Sequence, residues 1–146
     1  MSNGIKMSDC RFYIDEDART IVCVIPNTQN MVEDFIRDHF YFHDFDFGYA
    51  MNRPLQEKIK MPKSFMGKAV CAPDDEWNVE TGSLLAYARA KDKCYRSFFK
   101  RANLYAQAID NRLNNIIDEF NHLGLRLEAK RTDLEERIKA TTGEEV

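Results

Sequence analysis

Residues 79–123 contain no proline and a single glycine, Gly82. Along them Leu84, Leu85, Ala88, Tyr95, Phe98, Ala102, Tyr105, Ile109, Leu113, Ile116 and Phe120 follow helical spacings of three or four. Such a stripe predicts a helix of ~60 Å, at about 1.5 Å per residue. Strands of a small sheet run only ~17–20 Å, so a sheet cannot cover the whole stripe. Two solutions remain. Gly124 allows a helical hairpin, with Leu125, Leu127, Leu134 and Ile138 folding back and residues 132–135 (Thr-Asp-Leu-Glu) capping the returning helix. Otherwise the stripe is an oligomer interface with a heptad-like seam. An apolar stripe of this length is rarely left in water, which favours self-association.

The chain before this stripe reads as a small sheet with a helix. Residues 10–15 alternate apolar with polar, residues 15–18 form an acidic turn, and residues 19–25 are β-branched and apolar, so the segment predicts a β-hairpin that Pro26 ends. Asn27 and Thr28 are candidate caps for a short helix whose apolar face is Met31, Phe35, Ile36 and Phe40. Residues 38–49 place aromatics at nearly every second position with acids between, which allows a strand or a loop that plugs aromatics into the core. Residues 55–60 read as a short helix or an edge strand. Residues 65–71 form a third strand with Gly67 as a candidate bulge. Pro73 closes it, and Asn78 caps the long helix behind Asp74, Asp75 and Glu76. Gly82 sits in the first turn, where it costs little or serves close packing. Residues 1–8 are expected to fray.

The predicted fold class is α+β: a small antiparallel sheet with a short helix, then a long C-terminal helix or helical hairpin that oligomerises. The 146 residues form one domain. Residues 1–77 are its sheet-and-helix region, 78–140 its long helical region and 141–146 a disordered tail. The four cysteines, Cys10, Cys23, Cys71 and Cys94, form no C-x-x-C pair. Cys23 and Cys71 lie in apolar strand patterns and read as buried free thiols, which suits a reducing, cytoplasmic compartment. The N-terminus does not read as a signal peptide, and no run has the ~18–20 apolar residues of a membrane span. A net charge of −3 gives no global case for nucleic acid.

Chemistry has few places to sit. His39 and His43 stand four apart and would share a metal if helical, but the H-E-x-x-H base is missing. Hydrogen-bonded surface histidines are the plainer reading. Asp74, Asp75 and Glu76 would bind a cation or act as acid and base. Without a His or Lys fixed by spacing, they read better as helix-start residues. No nucleophile elbow, P-loop or dinucleotide fingerprint is present. The sequence therefore predicts no enzyme, no catalytic or metal residues and no cofactor.

Residues 89–101 are the sharper feature, with six basic residues against one acid and aromatics interleaved. Tyr95 and Phe99, with Arg89, Arg96 or Arg101, would make a stacking platform with a phosphate clamp. The plainer alternative is a solvated basic face beside a buried aromatic stripe.

Residues 67–77 (Gly-Lys-Ala-Val-Cys-Ala-Pro-Asp-Asp-Glu-Trp), followed by Glu80, Gly82, Leu85-Ala86 and Arg89-Ala90, resemble a pattern of small phage and prophage proteins. Among these the chain is similar to the first Thoeris anti-defence family. That resemblance implies an oligomeric sponge that sequesters a cyclic ADP-ribose signal in the host cytoplasm without cleaving it. The ligand residues expected for an anionic nucleotide are Trp77, Arg89, Lys93, Tyr95, Arg96 and Phe99. Two alternatives are a host defence protein or nuclease bound directly, and a single-stranded nucleic acid. No membrane partner is expected.

Overall fold

The computed structural model describes residues 4–39 and 53–143. Its elements are a 3-10 turn (Met7–Asp9), β1 (Arg11–Asp15), β2 (Thr20–Pro26), α1 (Met31–His39), α2 (Arg53–Ile59), β3 (Ser64–Val70) and α3 (Val79–Thr142). The chain divides into two compact units, Met1–Ala106 and Gln107–Val146.

In the first unit the three strands form an antiparallel sheet in the order β1-β2-β3. The predicted hairpin is present, its turn closed by Asp15, whose carboxylate accepts from the Ala18 amide at 3.1 Å. β2 lies between its neighbours and alternates strictly, with Ile21, Cys23 and Ile25 fully enclosed. One face of the sheet therefore carries the core, as period-two patterning demands.

α3 covers that face through small residues. Gly82, Ala86, Ala90 and Cys94 are spaced by four, and the last three are completely buried. Most bulky residues of the expected stripe lie elsewhere, with Leu84 and Leu85 exposed. Small side chains bring the helix axis close to the strands, and Gly67 completes the approach. A Cβ at Gly67 would lie 2.1 Å from the Ala86 carbonyl oxygen and 2.3 Å from the Ala90 nitrogen. The expected bulge is thus absent: Gly67 stays in register opposite Cys23 and is there because helix backbone occupies the space of a side chain. Gly82 plays the same part against Ile21, whose Cδ1 would lie 2.6 Å from an added Cβ.

Helix boundaries follow local chemistry. The Asn78 side chain accepts from the Thr81 amide at 3.1 Å, the expected N-cap. Thr28 does not cap with its side chain. Fully buried, its hydroxyl donates to the Pro62 carbonyl at 2.6 Å, while its own carbonyl accepts from the Met31 amide. α1 buries Val32 and Ile36. Residues 55–59 are helical, which resolves the choice left open there.

Two terminal expectations change. Ile5 does not fray but is only 3 % exposed. The Tyr87 hydroxyl donates to its carbonyl at 2.5 Å, and its amide donates to the Tyr95 hydroxyl at 3.3 Å. No hairpin forms at Gly124, and α3 continues through it to Thr142, two residues into the expected tail. A lone helical glycine costs about 1 kcal/mol, too little to reverse a chain that retains good helix formers on both sides. In the second unit, no described residue is buried.

Cys23 is buried as expected, whereas Cys71 lies just beyond β3 and is only half-buried. All four cysteines are free thiols. Residues 40–52 lie outside the described residues, and with them Phe40, the aromatic run and the His39/His43 pair. No described helix is long and apolar enough to cross a membrane.

Candidate functional site

The residues of the basic segment, all on α3 in the first unit, go to different places. Arg89 donates to the Lys68 carbonyl at 2.7 Å, and Lys93 to the Met66 carbonyl at 3.0 Å. Arg101 donates to the Lys60 carbonyl at 3.0 Å and to the carbonyl and hydroxyl of Ser97. Among the described residues β3 is an edge strand, so two of these cations meet carbonyls that no neighbouring strand takes up. Arg96 makes an exposed i,i+4 pair with Asp92 at 2.7 Å.

Tyr95 and Phe99 do come together. With Phe98 they meet Met31, Phe35, Asp34 and Asp38 of α1, and Gly4, Ile5 and Asn27, around a hollow of about 210 Å³. Its wall is an aromatic cluster. Phe35 meets Phe98 edge-on at 5.3 Å, and Phe98 meets Phe99 at 5.7 Å, the arrangement that ring quadrupoles prefer. Phe99 remains 62 % exposed. Asp34 and Asp38, one helical turn apart, add negative charge at the wall, and Asp34 also pairs with Arg37 at 3.3 Å in solvent. Among the described residues, no lysine or arginine lines the hollow.

Tyr95 has a further task. Its hydroxyl accepts from Ile5, and its ring lies 5.6 Å from the Lys91 ammonium, which sits 5.2 Å from the Tyr87 ring as well. The Lys91 pKa is raised above its ordinary value, chiefly by its hydrogen bond with Tyr87.

Trp77 stands apart from these groups. It lines a second hollow of about 400 Å³ with Ile21, Val70, Cys71, Asp75, Glu76 and the first turn of α3. Arg19 contacts two of these residues. Its guanidinium donates to the Cys71 sulfur at 3.0 Å and to the Asp75 carbonyl, while its Nε is buried with no hydrogen-bond partner among the described residues. The backbone of Arg19 has φ 50°, in the left-handed region that follows the hairpin turn.

The six expected ligand residues thus occupy separate places. Tyr95 and Phe99 share the aromatic hollow, Trp77 is in the other, Arg89 and Lys93 lie along the β3 edge, and Arg96 is on the solvent side. The sequence reading missed Asp34, Asp38 and Phe98 as neighbours of Tyr95. Their signal was present, as two acids at i,i+4 around Phe35. Arg19 gave none, because its role depends on where β3 ends. Among the described residues, no three His, Cys, Asp or Glu side chains group as a metal site.

Compared with known proteins, the chain matches no family model, no curated protein and no solved structure.

Proposed function

We propose that this chain is a non-enzymatic binding protein that works as an oligomer and captures a partner protein through its aromatic hollow. The occupant is an arginine or lysine side chain of the partner, its aliphatic stem on Phe35, Phe98 and Phe99 and its charged head towards Asp34 and Asp38. One observation carries this reading: four aromatic rings and two carboxylates line the same hollow, and among the described residues no lysine or arginine does. Aromatic faces and carboxylates both attract a cation, and they repel a phosphate. The partner in this reading is a defence protein of the host, the alternative to the nucleotide sponge that the family resemblance implies.

A random peptide library selected on the intact chain tests this directly. Counter-selection uses the Asp38→Asn/Phe99→Ala variant. The expected winners carry a basic residue flanked by apolar ones. Winners without a basic residue, or equal binding to the variant, overturn it.

The second reading is the nucleotide sponge, placed at Trp77. The contacts of Arg19 with Cys71 and Asp75, two residues that line the hollow with Trp77, favour it, since indole and guanidinium together suit a base and a phosphate. Native mass spectrometry with cyclic nucleotides and cyclic ADP-ribose isomers decides this. Retention of an intact nucleotide that Trp77→Ala abolishes establishes the sponge. Recovery of an altered nucleotide rules it out.

A further inference from the structure

The second unit is a helix with an unpartnered apolar face, and its charges specify what covers it. Leu113, Phe120, Leu127 and Leu134 recur every seven residues, as do Ile109, Ile116 and Leu123 three places on. These are the two core positions of a heptad. Phe120 is 71 % and Leu127 56 % exposed. We infer that residues 109–134 pair with the same residues of a second copy as an antiparallel coiled coil, Phe120 facing Leu123 of the second copy.

The orientation comes from the flanking charges. In that register Ile116 faces Leu127, Ile109 faces Leu134, and Leu113 packs on the aliphatic stem of Lys130. Beside these layers Glu119 meets Arg126, Arg112 meets Asp133, and Asp110 meets Arg131, each twice by symmetry. Every flanking charge pair in the register is attractive. Arg131 and Asp133 also make exposed pairs within their own helix, to Glu135 and Arg137, and both are surface contacts that rearrange at little cost.

Other arrangements are penalised. Sliding one copy by a heptad in one direction sets Glu119 on Glu119 and Arg112 on Arg126. Sliding it the other way sets Arg126 on Arg126 and Glu119 on Asp133. A parallel pair sets Arg126 opposite Arg131, Glu119 opposite Gly124 and Arg112 opposite Ile117, with one repulsion and no attraction. Charge at these positions selects partner orientation in coiled coils, and like-charge contacts exclude competing registers. The apolar repeat alone would allow either direction.

This inference rests on the oligomeric half of the proposed function and is independent of the hollow. Arg126→Glu decides it, because the two orientations predict opposite signs. In the antiparallel register the substitution sets a new carboxylate against Glu119 of the second copy, twice by symmetry. In the parallel one it turns the Arg126–Arg131 clash into an attraction. Sedimentation equilibrium of the reduced full-length chain is the measurement. The expected result is a wild-type dimer, a dissociation constant about tenfold weaker for Arg126→Glu, and recovery in Glu119→Arg/Arg126→Glu. A tighter or unchanged Arg126→Glu dimer overturns the orientation while leaving self-association standing. A wild-type monomer overturns both. Peptide capture by the hollow is read separately, so its failure is not confused with either result.

Discussion

A methyl group added at Gly67 and one added at Gly82 would meet different neighbours. At Gly67 the neighbours are backbone atoms of Ala86 and Ala90, which move only if α3 moves. Gly67→Ala is expected to cost about 3 kcal/mol by overpacking, read from urea unfolding. At Gly82 the neighbour is the tip of Ile21, which can rotate, and alanine is the better helix former. Gly82→Ala is expected to stay within about 1 kcal/mol of wild type in the same assay. Thr28 gives a third case. Its replacement by valine keeps the shape but leaves the Pro62 carbonyl without its donor, for a loss of about 1–2 kcal/mol. Burial also pushes two thiols up, Cys23 from 9.0 to about 12 and Cys94 from 9.0 to about 11. The folded state then holds protons that the unfolded state releases. The stability they contribute is whole below pH 9 and is lost as pH rises towards 11 and 12. Thermal melts between pH 8 and 11 should show a falling midpoint above pH ~9, and Cys23→Ala/Cys94→Ala should flatten that fall.

At the scale of elements, periodicity made the sheet legible and left the helix contacts obscure. β1, β2 and β3 stand close to where alternation and turn residues put them, since a strand's inward face can be read from its own residues. The face that α3 turns to the sheet could not be read in this way. It consists of Gly82, Ala86, Ala90 and Cys94, whose importance lies in what they leave out, and a reading weighted to bulky residues passes over them. The site was half legible for a related reason. Tyr95 and Phe99 were visible as neighbours on one helix, but the spacing of Arg89, Lys93 and Arg101 says only that they share a side of α3. Which backbone they meet depends on tertiary placement. Their contacts with β3 and its lead-in resemble the cationic cover that sheet edges use against unwanted pairing. Arg89→Ala/Lys93→Ala is therefore expected to change unfolding free energy by less than about 1 kcal/mol, because both contacts are exposed. It should instead raise the rate of heat-induced light scattering. Unchanged scattering would remove the protective role from these cations.

For the molecule as a whole, the two units depend on burial to different degrees. The first has an enclosed core and needs no partner to explain its stability. The second, residues 107–142 of α3, has no buried residue of its own among those described. In proteins most helical stability comes from packing an amphipathic face, and propagation alone adds little per residue. In the pairing inferred above, the covered apolar face adds to that stability, and Leu127 occupies one of its layers, opposite Ile116 of the second copy. Leu127→Asp places a charge in a core layer, where pairing would force it to be buried without a partner. The expected outcome is a monomer in sedimentation, with much of the 222 nm ellipticity of residues 107–142 lost. Trp77, the only tryptophan, belongs to the first unit and reports on it alone. Its fluorescence should be unchanged, since nothing in the core of the sheet depends on residue 127. Loss of both signals together would mean that the sheet unit folds only as part of the oligomer. Full helicity in a monomeric variant would mean that the second unit holds its helix without a second copy, and the reason for covering the stripe would disappear.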